Sequence, residues 1–111
     1  MNRKFIVIKT EKKLKKFFID EILYCKADGA YSIIKTTDNK EFIVSKLLKV
    51  IENLLTEYEF IRINRSYLVN LEHCMEIIIG REPKLVLSNN EKLKLNNKNL
   101  KNIENKFCLY S

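Results

Sequence analysis

The sequence predicts a mainly β domain of about eight to ten short strands with two short helices, and three observations support this. Apolar residues come in runs of roughly four to six between charged or turn-forming residues, which suits strands and is too short for most helices. Turn signals recur at Asp28-Gly29, Asp38-Asn39, Gly80-Arg81-Glu82-Pro83 and Ser88-Asn89-Asn90-Glu91. Only the stretches after Ser45 and from Asn97 onward carry apolar residues at helical spacing.

Phe5 to Lys9 is an apolar run, and Leu14 to Ile19, beyond the charged Glu11-Lys12-Lys13, is its expected hairpin partner. Ile22-Leu23-Tyr24-Cys25 is a further strand. It runs into Asp28-Gly29, where glycine accepts the positive φ a tight turn needs. Tyr31 to Thr37 resumes with β-branched residues, Asp38-Asn39 turns the chain, and Glu41 to Val44 returns, giving a β-meander. Ser45 offers an N-cap hydroxyl to a helix whose apolar stripe is Leu47, Leu48, Ile51, Leu54 and Leu55. Phe60 to Asn64 alternates like a strand, Tyr67-Leu68-Val69 and Met75 to Ile79 are two more, and Leu85-Val86-Leu87 with Leu93-Lys94-Leu95 reads as a closing hairpin. A last helix is expected from Asn97, with an Asn cap ahead of Leu100, Ile103 and Phe107.

A chain of 111 residues is one domain with one hydrophobic core. Collagen-like, mucin-like and coiled-coil compositions are excluded. Cys25, Cys74 and Cys108 are odd in number and widely spaced. They argue for apolar filler thiols in a reducing compartment, with the cytoplasm expected, and against a disulfide framework or zinc site. No apolar stretch reaches the ~18 residues of a membrane helix, and the N-terminus lacks a signal peptide's long apolar region, so no membrane insertion is expected.

The net charge is +7, and it is unevenly placed: seven basic and two acidic residues in 1–20, and six and two in 84–111. If the fold brings the two ends together they form one positive surface for a polyanion; if not, they are two solvated faces. The abundance of Lys, Asn and Ile, all encoded by A/T-rich codons, offers a compositional cause for the charge.

Catalytic equipment is sparse. His73 is the only histidine, and Cys74 beside it would project to the opposite face of a strand, which suits a surface His next to a buried Cys better than a nucleophilic dyad. Two glycines cannot build a phosphate loop, and no acidic cluster has metal-ligand spacing. The three Asp, at 20, 28 and 38, read as caps and turns. Neither enzymatic activity nor a cofactor is expected.

Hydrogen-bonding and cationic groups suited to nucleic acid are plentiful. Arg62, Asn64, Arg65, Ser66 and Tyr67 form one dense run, and Asn96, Asn97, Lys98, Asn99, Lys101 and Asn102 surround the start of the last helix. Arg can fork onto guanine and Asn onto adenine, while Lys and helix N-terminal amides hold phosphates. Arg62 can equally pair with Glu57 or Glu59, and the Asn cluster can be an ordinary cap and loop.

The run Phe60-Ile61-Arg62-Ile63-Asn64-Arg65-Ser66-Tyr67-Leu68-Val69-Asn70 resembles the signature of the LytTR DNA-binding domain family. Its flanks agree in order: Ile22 to Cys25 before Asp28-Gly29-Ala30-Tyr31, the Asp38-Asn39 turn, the helix after Ser45, and Leu95-Asn96-Asn97-Lys98-Asn99-Leu100. The likeness covers about residues 5 to 107.

The resemblance implies an elongated stack of small antiparallel β-sheets whose loops enter the major groove of duplex DNA in a bacterial transcription regulator. It puts the family's groove-contacting positions on Tyr31, Arg65 and Lys98. Their neighbours Asn64, Ser66, Asn97 and Asn99 complete the expected DNA-binding set. Arg62 and Asn70 are expected either to organise the signature loop or to touch DNA. Asn64 stands where the family most often has His, and Asn97-Lys98 where an Arg-containing pair is usual, which bears on the target sequence and not on the class.

Two copies on paired repeats are the expected stoichiometry. The resemblance also implies that a receiver domain, for which 111 residues leave no room, or a membrane-bound inhibitor would be the regulatory partner. The alternative functions are a non-specific nucleic-acid binder, with Tyr24, Tyr31 and Phe42 as stacking platforms, and a protein-interaction domain.

Overall fold

In the computed structural model, which describes residues 3–107, every strand pairing is antiparallel and the strands fall into three sheets. Strands β1 (Phe5–Lys9) and β2 (Leu14–Phe18) form a hairpin. A central five-stranded sheet holds β3 (Ile22–Asp28), β4 (Tyr31–Thr36), β5 (Glu41–Val44), β6 (Phe60–Asn64) and β7 (Tyr67–Asn70) in the order β5-β4-β3-β7-β6. Strands β8 (Cys74–Ile78), β9 (Lys84–Leu87) and β10 (Lys92–Lys94) form the third sheet. Helix α1 (Leu48–Leu54) joins β5 to β6, and α2 (Asn97–Phe107) follows β10. The ten strands stand at the upper end of the expected range, and the dimensions, 47 × 37 × 24 Å, are elongated.

The central sheet is covered on both faces, which explains why β3 reads as an unbroken apolar run instead of alternating. On one face, Ile22 and Cys25 pack with Ile8 and Phe17 of the hairpin and with Leu48, Ile51 and Leu55 in and beside α1. On the other, Leu23 and Tyr24 pack with Leu85, Leu87 and Leu93 of the third sheet and Ile103 of α2. The expected single core is therefore two half-cores divided by one sheet. A register shift between Ile22 and Tyr24 in the β3–β4 ladder breaks strict alternation and lets neighbouring residues serve different faces. Burial pushes the Cys25 thiol up to about 12, so it stays neutral as a core filler. Cys74 is half-buried, and Cys108 lies outside the described residues.

The expected turns form. Gly29, at φ +61°, makes a two-residue hairpin between Asp28 and Tyr31, and Asn39 and Asn90 take the same left-handed conformation at 64° and 72°. The last helix starts at Asn97 as expected, but the start of α1 needs correction. Ser45 does not cap α1; the capping position is Leu47, which makes no side-chain bond, while the Ser45 amide donates to the Lys9 carbonyl and ties the first hairpin to the end of β5. The buried face is narrower than the expected stripe: Leu48, Ile51 and Leu55 are buried, while Leu47, ahead of the helix, and Leu54 are exposed. The cap of α2 is the Asn96 side chain, which accepts from the Asn99 amide at 2.7 Å. Leu100 and Ile103 of α2 face the core as expected, while the Phe107 side chain lies outside the described residues. Among the described residues no helix is long and apolar enough to cross a membrane.

Candidate nucleic-acid interface

Antiparallel pairing brings two turns and the starts of both helices to one end of the central sheet. Lys26 of β3 pairs with Tyr67 at the start of β7, and the Ala27 amide donates to the Ser66 carbonyl at 2.8 Å. The Gly29-Ala30 hairpin tip therefore lies beside the Arg65-Ser66 turn. Val44 at the end of β5 pairs with Ser32, and the Asn96 amide donates to the Ile63 carbonyl, so the start of α1 and the start of α2 reach the same end.

Three side chains fix the shape of the signature turn and one projects from it. The Asn64 Oδ1 accepts from the Ser66 and Tyr67 amides at 2.8 and 3.1 Å, closing the turn, and its Nδ2 donates to the Lys94 carbonyl, locking the turn to β10. Arg62 donates to the Arg65 carbonyl at 2.7 Å and to Glu52 of α1 at 3.0 Å, so its partner is Glu52 and neither Glu57 nor Glu59. Tyr67 packs edge-to-face on Tyr24 with centroids 5.3 Å apart. The Arg65 side chain is exposed and has no hydrogen-bond or ion-pair partner among the described residues.

The expected residues do not all share one recess. Arg65, Asn64, Ser66 and Asn97 line a cleft of about 710 Å³ with Arg81, Lys92 and Lys94. Four cations, Arg65, Arg81, Lys92 and Lys94, face a single acid there, Glu82. Lys98 is exposed in the first turn of α2, one residue beyond that cleft, where no acidic residue opposes an incoming anion. Asn99 lies elsewhere, in a groove with Glu52 and Arg62, its Oδ1 near Asn102 Nδ2. Tyr31, 53% exposed, opens β4; with β3 between β4 and β7, it stands about 10 Å, two strand spacings, from the signature turn.

Arg81, Lys92 and Lys94 were not singled out in the sequence. A signal was available for two of them: Lys92 and Lys94 alternate with buried Leu93, so both face outward together. Asn70 sits at the far end of β7 from the signature turn, where its buried amide donates to the Ile19 and Ile22 carbonyls. It organises that end and not the loop.

His73 and Cys74 correct another expectation. His73 ends a single 3-10 turn instead of lying on a strand, its Nε2 is 2.7 Å from the Asp20 carbonyl, and both residues are half-buried. Asp20 bonds Arg3, which holds its carboxyl below the usual range, and Asp38, bonded by the Thr36 hydroxyl, is lowered likewise. Among the described residues no group of His, Cys, Asp or Glu has the makings of a metal site.

Comparison with known proteins agrees with this fold. The profile of the LytTr DNA-binding domain matches residues 12–107. The Sensory transduction protein LytT of Bacillus subtilis (strain 168) is 39% identical over 57 residues, spanning 51% of this chain but only 23% of that longer protein. The solved LytTr DNA-binding domain of a response regulator from Bacillus cereus superposes with a TM-score of 0.76 over 94% of this chain and 96% of that one, at 19% identity, and so shares its fold. With that profile matched along most of its length, the chain belongs to the LytTr DNA-binding domain family.

Proposed function

We propose that this chain is the DNA-binding part of a bacterial transcription regulator, reading a particular duplex sequence with the turns at one end of its central sheet laid into the major groove. The observation that carries this reading is the exposed Arg65 guanidinium, without a partner among the described residues, on a turn closed by Asn64 and braced by Arg62. A fork held at the apex of a rigid turn suits bidentate contact with a guanine edge. Arg81, Lys92 and Lys94 around it, and Lys98 on α2, suit phosphates. Tyr31 stacks or reaches a phosphate through its hydroxyl. Asn64, with three bonds to the main chain, acts by positioning, Ser66 and Asn97 border the contact, and Asn99 supports α2 from its outer side.

The stacking alternative is weaker on this geometry. Tyr24 is buried with its hydroxyl bonded to Glu91, and Phe42 is half-buried against Phe17, so of the three rings only Tyr31 is open. A module of this size offers about 600 to 1,000 Å² of interface, so tight binding calls for two copies on paired repeats.

Selection of bound duplexes from a random pool tests the reading. The expected result is one enriched motif, repeated at fixed spacing, that resists excess random duplex. Equal loss to random duplex would indicate general binding, and no binding at ~50 mM salt would indicate a protein-interaction domain. Lys98→Ala is expected to weaken every duplex alike and to lower the salt slope by about 1, as measured by equilibrium titration at several salt concentrations.

A further inference from the structure

Seven basic residues crowd the first twenty positions, and the structure separates those with local partners from those without. Arg3 pairs with Asp20 at 2.7 Å and with Glu21. Lys15 lies 4.7 Å from the Phe42 ring centre and Lys16 4.1 Å from that of Phe5. The side chains of Lys12 and Lys13, at the tip of the β1–β2 hairpin, like those of Lys4 and Lys9, are exposed and have no partner among the described residues.

That tip is shaped and anchored. Thr10 is buried, and its amide and hydroxyl both donate to the Lys13 carbonyl, at 2.9 and 3.2 Å. The bond from the Ser45 amide to the Lys9 carbonyl fastens the hairpin just past the edge strand β5. Lys12 and Lys13 then form one wall of a cleft of about 880 Å³ whose other walls include Tyr31 and Ile43. Two acids border it: Glu41, which pairs with Lys35 at 3.9 Å, and Glu11, beside Lys12 on the same turn.

We propose that this cleft holds a stretch of duplex DNA backbone, gripped by Lys12 and Lys13 on one side and Tyr31 on the other, as a second phosphate contact on the opposite flank from α2. The inference rests on the duplex-binding reading above and extends its footprint. Four strand spacings separate β5 from β6, about 19 Å, the axial length of about six base pairs. The basic N-terminal hairpin, packed on one face of the sheet, is tied beside edge strand β5 by the Ser45–Lys9 bond, and α2, packed with the closing hairpin on the other face, is tied at its start to edge strand β6 by the Asn96–Ile63 bond, with Tyr31 and Arg65 at the same end of the sheet. The two charged ends of the sequence serve one DNA strand path from opposite flanks.

The test compares the wild-type chain, Lys12→Ala/Lys13→Ala and Glu11→Gln on the pool-selected duplex across a salt series, with hydroxyl-radical footprinting. The double variant is expected to lower the salt slope by about 1.8, to lose protection about six base pairs from the α2 flank, and to keep its preference over random duplex. Glu11→Gln, by removing a carboxylate from a phosphate path, is expected to raise affinity a few-fold, a sign that a merely structural turn would not produce. A double variant whose slope and footprint match the wild type would overturn the grip while leaving duplex reading by Arg65 intact. A wild-type chain without preference for any duplex would overturn the reading beneath it as well.

Discussion

Arg65→Ala is expected to cost the preferred duplex about 1 to 3 kcal/mol of binding, roughly 5- to 150-fold in Kd, and to relax selection at one base position. The fold should be untouched. The Arg65 side chain is exposed and makes no bond to the described protein, while the group that Arg62 needs is the Arg65 main-chain carbonyl, which alanine retains. Arg65→Lys should keep most of the affinity for random duplex but lose discrimination, because an ammonium cannot fork onto a guanine edge. Titration of matched and single-substituted duplexes checks both variants. Circular dichroism checks the fold: unfolding of Arg65→Ala would make the side chain structural and remove it from the interface.

Asn70→Ala is expected to do the reverse, lowering stability by about 3 kcal/mol while leaving the signature turn at the other end of β7 in place. Asn70 is 1% exposed. Its Nδ2 donates to the Ile19 carbonyl at 3.2 Å and the Ile22 carbonyl at 3.0 Å, and its Oδ1 accepts from the Glu72 amide at 3.1 Å. Alanine removes all three bonds, leaving the Ile19 carbonyl only the Ile22 amide as donor, and each loss is worth about 1 kcal/mol where water cannot replace it. For a domain of this size the melting temperature should fall by about 10 to 20 °C, read by thermal unfolding. Asn70→Asp should be at least as damaging at neutral pH, since a carboxylate oxygen would then face two carbonyls. A shift within a few degrees for either variant would mean that this end of the sheet is held by other contacts.

These two residues show what the sequence disclosed and what it withheld. Both belong to one eleven-residue run, 60–70, that carries the family resemblance, yet they serve opposite ends of β7: Arg65 lies two residues before its first residue and Asn70 is its last. Strand periodicity was legible because burial on a pleated sheet follows a period of two, whereas the unbroken run in β3 reads from sequence only as one more strand, and its burial on both faces depends on the elements packed above and below it. The start of α1 was misread because a serine ahead of leucines satisfies a local rule, whereas the Ser45 amide is committed to a bond with Lys9, far away in sequence. The partner of Arg62 was missed for a similar reason. Glu57 and Glu59 are nearer along the chain, but α1 folds back to bring Glu52 within 3.0 Å. Arg81, Lys92 and Lys94 join Arg65 only because the third sheet packs over the central one, a tertiary fact that no local pattern encodes.

Chemical-shift mapping of the backbone amides on adding the pool-selected duplex tests most directly whether the turn end of the central sheet is the surface that meets DNA. The expected perturbations gather at residues 29–32, 64–67 and 96–99, with the Met75 to Ile78 edge and the exposed side of α1 unchanged. Perturbations confined to β8 or α1, with Arg65 and its neighbours unmoved, would contradict the account.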